Sequence, residues 1–534
     1  MVHYPSLLGG TMQLRLSEKT AIIFAIVCSL LLTGCDTGIT TRSSTTGNTT
    51  MTSMITTPQI TQPISSQTTV TSNSTDVSTV PVPAGNKPFP GSVILGSPTD
   101  NSIVVSLLTA INANVYIEYG KSAGNYSGHT GISTTQNDTP LEIALTNMEK
   151  DTQYYYRVCY QLSGDSSYSA GTESSFHTQR ATGDSFSFGV QADSHPERLN
   201  KMFNPDLYIV TMNNVKAADP DFYISLGDDF SIDPLITKNQ LNQQTVNAVY
   251  ANQRNFLGVV GSSSPLFLVN GNHEEAAKYL LNGTANNAAV YAGKARTQYF
   301  PLPAPGPFYS GDTEQVPFVG LPKDYYSWTW GDALFVVIDF YWHSPVPVDN
   351  VVGSDNTTKN RNMWDVTLGD TQYKWFEQTL ANSTAKYKFV FTHHVLGTGR
   401  GGIEMANEYE WGGQDQKGVN EFSTMRPGWD LPILQLMAKY NVTIYFQGHD
   451  HLFAQQELGG VVYQEVPVPA DPTYTAFNAD AYLSGKVLPN TGYLNVTVSP
   501  DHVKVDYISS YLPKDETSTK KNGQVAYSYI IPGK

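Results

Sequence analysis

Two rhythms of apolar and polar positions divide the chain. Over residues 88–180, short alternating runs such as Ser102-Ile-Val-Val-Ser-Leu-Leu108 and Asn114-Val-Tyr-Ile-Glu-Tyr119 are separated by Gly, Asn, Ser and Asp. A period of two puts alternate side chains on one face of a strand, so this stretch predicts an antiparallel sandwich. From residue 184 the rhythm becomes apolar strand, polar edge, helix. Helices are expected over 206–218, 240–257, 371–381 and 429–440. Strands alternating with helices predict a layered α/β architecture. Tyr325 to Asp339 reads as a hairpin turning at Gly331-Asp332, and 492–498 with 502–508 as a second hairpin closing a sheet.

Five of the strand runs end alike. Phe186-Ser-Phe-Gly-Val-Gln-Ala-Asp193-Ser194-His195 passes from an apolar run to an aspartate and a histidine. The runs from Phe222 to Asp228, Pro265 to Glu274, Lys388 to His394 and Val442 to His451 repeat that grammar. A sheet delivers ligands to its carboxyl-terminal edge in this way. One such edge is an ordinary solvated loop; five in one chain gather Asp193, His195, Asp228, Asn272, His393, His449 and His451. Two carboxylates, one amide and four imidazoles form a borderline donor set, suited to Zn, Fe or Mn and rich enough for two ions. A central carboxylate can bridge two cations about 3.5–4 Å apart, as two-metal hydrolytic sites require. Arg400, in Gly-Thr-Gly-Arg-Gly-Gly, is a candidate contact for substrate phosphate or else a solvated loop residue; His394 reads as a surface or supporting residue. The loop 401–425, with Glu404, Glu410, Trp411 and the nearby Trp429, is a candidate pocket wall unless its aromatic residues simply pack.

The amino-terminal part adds a location. Within residues 1–35, Arg15 and Lys19 precede the apolar run Ala21 to Leu32, which has the length of an export signal and ends in Leu32-Thr33-Gly34-Cys35. That ending resembles the bacterial lipobox, which implies a lipid on Cys35, and Met12 makes a more ordinary start for the leader than Met1. Residues 36–87 are rich in Ser and Thr and poor in large apolar residues, the composition of a disordered stalk. An exported protein on the cell envelope or extracellular face, held to the membrane through Cys35, is therefore expected. The net charge of −15 and pI near 5.1 give no nucleic-acid footprint, which needs a basic face. Cys28 and Cys35 fall in the leader, leaving Cys159 alone, so the fold rests on packing rather than disulfides.

Taken in order, Asp193-x-His195, Gly227-Asp228, Gly271-Asn272-His273-Glu274, His393 and Gly448-His449-x-His451 resemble the five motif blocks of the calcineurin-like metallophosphoesterase superfamily. Leu145 to Val158 looks like the corner-tyrosine segment of a fibronectin type III domain, and such a module ahead of the blocks makes the chain similar to the purple acid phosphatases. The resemblance implies a four-layer αββα sandwich over 184–512, an all-β fibronectin type III-like domain over 88–180 and a tail over 513–534. It implies that one metal takes Asp193, His195, Asp228 and His451. The other takes Asp228, Asn272, His393 and His449. His273 would contact the phosphoryl group and assist the leaving group, with Glu274 orienting it, and a metal-bridging hydroxide would attack. Two departures stand out. Ser231 occupies the position of the tyrosine that colours purple acid phosphatases, and the first block reads Asp-x-His rather than Asp-x-Gly. The first block therefore resembles the phosphodiesterase and nuclease branches.

The function expected is hydrolysis of phosphate esters by a two-metal enzyme, monoesters slightly favoured over diesters. Two alternatives compete: a catalytically weak surface-binding lipoprotein working through the fibronectin-like module, and an exported phosphodiesterase or nuclease. All seven ligand positions are filled, which argues against lost activity; the acidic chain lacks the basic path a nuclease needs.

Overall fold

The computed structural model describes residues 70–71, 80–348, 362–398 and 400–533. The chain divides into two units, Met1–Pro63 and Ile64–Lys534; the described residues lie in the second. The leader, Cys35 and most of the 36–87 stretch fall outside the described residues. Among those described, no helix is long and apolar enough to cross a membrane.

The amino-terminal sandwich is built as the alternation predicts. Strands β1 (Gly91–Gly96), β2 (Ile103–Thr109) and β4 (Leu141–Leu145) form one antiparallel sheet. Strands β3 (Ala113–Gly120), β5 (Gln153–Leu162) and β6 (Ser174–His177) form the core of the other. Inward positions Ile103, Val105 and Leu107 meet Val115, Ile117, Tyr156 and Val158 in one core. Cys159 is buried and free, packed with Tyr116.

Two further sheets face each other. In chain order their strands are β7 (Phe186–Gln191), β8 (Phe222–Ser225), β9 (Leu266–Leu268), β10 (Tyr326–Trp330), β11 (Ala333–Val337), β12 (Tyr387–Phe391), β13 (Ile444–Gln447), β14 (Phe453–Leu458), β15 (Val461–Glu465), β16 (Gly492–Val498), β17 (His502–Ser509) and β18 (Val525–Pro532). One sheet runs β9-β8-β7-β16-β17-β18; the other contains β10-β11-β12-β13-β15-β14 with a short strand at each edge. Strands β7, β8 and β9 are mutually parallel, as are β11, β12, β13 and β15. Between the sheets lies an aromatic core. Phe267 stacks on Trp328 at 4.0 Å, Phe391 on Phe446 at 4.9 Å, and Phe188 on Phe222 at 5.5 Å.

Helices cover both outer faces, completing four layers. Helices α1 (Pro205–Ala218), α2 (Gln243–Gly261) and α3 (Ala288–Tyr299) bury Met212, Val215, Tyr250, Leu257 and Ala295 against Tyr223, Leu266 and Leu268. Helices α4 (Gly369–Asn382) and α5 (Ile433–Lys439) bury Tyr373, Phe376, Leu380, Ile433 and Leu436 against the other sheet. Asn204, Asn242 and Asn287 cap the first three, each accepting a backbone N–H three residues on.

Several expectations need correction. Helix α5 starts at Ile433 rather than 429, because Pro432 is extended and the residue before a proline avoids helical geometry. Helix α3 escaped detection because its buried stripe is alanine (Ala288, Ala289, Ala292, Ala295) rather than large apolar residues. The 513–534 stretch is no mere tail: β18 pairs with β17 and turns Tyr527, Tyr529 and Ile531 toward the core. The loop 401–425 packs. Trp411 is fully buried against Phe340 and Tyr445, and Glu410 is buried against Arg426.

The sandwich is fastened to the α/β layers by buried polar contacts. Arg254 of α2, wholly buried, donates to the Ser92 hydroxyl at 2.9 Å, to the Ser106 hydroxyl and carbonyl at 3.0 Å each, and to the Tyr299 carbonyl. Tyr156 reaches back from β5 to the Ser262 carbonyl at 2.7 Å.

Candidate metal centre

Each expected ligand stands just past the carboxyl end of a parallel strand: Asp193 and His195 after β7, Asp228 after β8, Asn272 after β9, His393 after β12, His449 and His451 after β13. The loops must turn sharply to aim these side chains at one point. Asp193, His195, Asp228, His449 and His451 all have positive φ, between 47° and 80°. Such conformations cost non-glycine residues about 1–3 kcal/mol each and persist where surrounding structure holds them. Gly227, at φ 99°, has no alternative, since a Cβ there would sit 2.4 Å from the Gly271 nitrogen. At Gly448 a Cβ would meet Ala192 at 2.7 Å and Asp193 Oδ2 at 2.8 Å.

All seven side chains converge, in two groups. In the first, His451 Nε2 lies 3.1 Å from Asp193 Oδ1 and 3.2 Å from His195 Nε2. In the second, His393 Nε2 lies 3.1 Å from Asn272 Oδ1 and 3.2 Å from His449 Nδ1. Asp228 Oδ2 belongs to both, 3.6 Å from His195 Nε2 and 3.2 Å from His393 Nε2. Donor atoms within 4.8 Å of one another form the groups Asp193–His195–His451, His195–Asp228–His273 and Asp228–His393–His449, so Asp228 is shared and His273 borders the centre.

The donor set fits two cations. Asp193 Oδ1 is buried without a hydrogen-bond partner in the middle of the first group. Burial opposes ionisation of Asp193 and Asp228, but the nearby imidazoles, His393 foremost, outweigh it and hold both carboxyls well below their usual range. The same carboxylates overcome burial at His393 and lift it to about 9. Burial keeps His451 down at about 4, and His449 is likewise lowered, so both imidazoles are neutral and free to ligate.

The surroundings orient the ligands. His195 Nδ1 faces Glu197 Oε1 at 2.8 Å and His393 Nδ1 faces the Leu226 carbonyl at 2.9 Å, leaving each Nε2 for the centre. Asp193 Oδ2 accepts the His449 N–H at 2.8 Å, coupling the first and fifth motifs. Glu274 does not orient His273 as expected. Its carboxylate accepts backbone N–H groups from Gly271 (2.7 Å), Asp228 (3.1 Å), Asp229 (2.9 Å) and Phe230 (3.0 Å), clamping two ligand loops together. Burial, reinforced by Asp228, raises its pKa to about 7.

His273 stands beside the groups with Nε2 3.9 Å from Asp228 Oδ2. Asp233 Oδ1 is 3.2 Å from its Nδ1, and Arg198 Nη2 is 3.0 Å from its Nε2. Burial disfavours its cation, yet Asp228 and Asp233 outweigh burial and raise it to about 10, with Arg198 acting in the opposite sense. Arg198, Glu197, and Asp233 were not singled out from sequence; only Glu197, two residues past His195, lay within a motif's reach. Arg400 is held by the His449 carbonyl at 2.5 Å and Asp450 Oδ1 at 2.8 Å. His394 is buried rather than on the surface, with Nδ1 3.4 Å from the Tyr341 hydroxyl. Ser231 is buried too, its hydroxyl without a hydrogen-bond partner among the described residues.

A family model described as calcineurin-like phosphoesterase matches residues 186–453. No curated protein matches the sequence. Among solved structures, that of PhoD is 14% identical, with a TM-score of 0.57, over 84% of this chain and 91% of that one. Purple acid phosphatase PPD1 from yellow lupin (Lupinus luteus) seeds is 16% identical, with a TM-score of 0.52, over 84% of this chain and 74% of that one. At such identities the likeness is one of fold.

The clamp makes a prediction. Replacing Glu274 by Gln turns an N–H pair toward backbone N–H groups, so the ligand loops separate. Metal retention during dialysis against a chelator should fall about 10–100-fold. Retention equal to the unsubstituted protein would show that the clamp does not position the ligands.

Proposed function

The chain belongs to the calcineurin-like phosphoesterase family, and on that premise we propose an exported, lipid-anchored two-metal phosphoesterase that favours monoesters over diesters. The observation that carries this reading is the shared place of Asp228 Oδ2 in both donor groups. In it, Asp193, His195, Asp228 and His451 hold one ion, and Asp228, Asn272, His393 and His449 hold the other. When bound, two such ions supply Lewis acidity at the phosphoryl oxygens and lower the pKa of water.

The remaining work falls to side chains. Asp233 fixes the His273 ring through Nδ1, leaving Nε2 pointing at the centre. In the resting arrangement Arg198 Nη2 lies 3.0 Å from that nitrogen. A phosphoryl group entering the site draws the guanidinium onto its own oxygens, and the proton already on Nε2 of the cationic His273 passes to the departing alkoxide, leaving a neutral imidazole. Arg198 and a protonated His273, added to two cations, match the double negative charge of a monoester better than the single charge of a diester. Arg198 pairs with Glu197 at 3.2 Å through Nε while its Nη2 lies 3.0 Å from His273 Nε2, which makes it a stronger candidate for phosphate contact than Arg400, held by Asp450 at 2.8 Å.

For location, the basic start, the apolar run and Leu32-Thr33-Gly34-Cys35 support acylation of Cys35, with 36–87 as a stalk and 88–180 as a fibronectin type III-like spacer ahead of the enzyme at 184–532.

Two measurements follow. His273→Ala should keep its metals yet lose about 10²–10⁴ in turnover, the range of a general acid. An alkyl ester should suffer more than a phenolic one, whose leaving group needs little protonation; equal losses would reduce His273 to a phosphate contact, and loss of metal would place it among the ligands. Cys35→Ala should move the protein from the membrane fraction to the soluble fraction, and a variant that stays membrane-bound would refute the lipid anchor.

A further inference from the structure

A large aromatic ring stands in water beside the metal centre. Phe477 is 65% exposed, and its ring lies 6.3 Å from that of His451, tilted by 35°. Single exposed apolar residues are normal on protein surfaces, and Phe318 and Leu483 are further examples here. Phe477 differs from them in being placed against a ligand of the site and held there.

The holding is double. Asn490 donates its backbone N–H to the Thr475 carbonyl at 3.0 Å and its side-chain amide to the His451 carbonyl at 2.8 Å. On the other side, Asn478 donates to the Asp450 carbonyl at 3.0 Å, and Tyr482 donates to Asp450 Oδ2 at 2.9 Å. Asp450 is buried and also takes the Gly401 N–H at 2.7 Å and the Arg400 guanidinium at 2.8 Å. The residues two before and one after Phe477 are therefore tied to the loop carrying His449 and His451. These anchors fix the backbone on both sides of Phe477, so little backbone freedom is lost when something stacks on its ring.

We propose that Phe477 is a specificity-determining residue, a fixed platform on which the alcohol portion of the phosphate ester lays a planar aromatic ring while the phosphoryl group meets the metal centre. This rests on the phosphoesterase reading above and names the substrate class it leaves open. A ring on the alcohol side, separated from phosphorus by a short chain or a sugar, can reach a platform one imidazole away from the metal position. Both aryl-alkyl phosphates and nucleoside 5′-phosphates present this chemistry.

The test compares esters with matched leaving groups, so that intrinsic reactivity cancels. One pair is 2-phenylethyl phosphate against 2-cyclohexylethyl phosphate. The other is adenosine 5′-phosphate against ribose 5-phosphate. The metal-loaded enzyme should prefer the aromatic member in kcat/KM. In Phe477→Ala that preference should fall about tenfold, the scale of one base–aromatic stack, through KM rather than kcat. Phe477→Trp should restore it. As a readout apart from turnover, inhibition by 2-phenylethylphosphonate should weaken by a similar factor in Phe477→Ala, relative to inhibition by inorganic phosphate. Loss in the first pair alone assigns the platform to simple aryl groups, and in the second alone to nucleobases. An unchanged preference in both pairs overturns the inference while leaving the phosphoesterase intact. If the unsubstituted enzyme hydrolyses none of the four, the monoesterase reading fails and the platform with it.

Discussion

One carboxylate oxygen organises this molecule. Asp228 Oδ2 lies within 3.6 Å of His195 Nε2 and 3.2 Å of His393 Nε2, and so joins two donor groups that each draw on both sheets. A buried anion in that position is costly unless cations or donors compensate it. The protein compensates it with imidazoles and with the His273 backbone N–H on Oδ1 at 2.9 Å. Much of the surrounding structure serves to keep that arrangement from relaxing.

The constraint spreads outward through the loops. Five ligand residues sit at positive φ, and the glycines beside them leave no room for a side chain. Such loops hold only because the strands beneath are fixed by the aromatic core between the sheets, and because Glu274 binds four backbone N–H groups of the second and third motifs. Strain at the rim is sustained by packing below it. Buried aromatic stacking and the metal site are thus parts of one mechanical system.

Much of this was legible in the sequence. The five strand-to-ligand edges carried their own evidence, because an apolar run that stops at Asp, Asn or His says both where the strand ends and what it presents. The hairpins at Gly331 and between 498 and 502 were equally plain, since turn residues interrupt strong alternation. What escaped was whatever depends on distant partners. Helix α3 hides its packing in alanines. Nothing in Asp233 or Arg198 announces that both converge on His273, because that meeting is made by three separate loops. Glu274 was read as a partner of its neighbour, whereas its true partners lie mostly 44 to 46 residues away.

The most direct test of the shared carboxylate is to count metal ions. Elemental analysis of the purified protein should find two transition-metal ions per chain, and Asp228→Asn should lose both together, because each group gives up its common anionic ligand. A variant that keeps one ion with undiminished affinity, or a parent protein that never binds more than one, would contradict a centre built around Asp228.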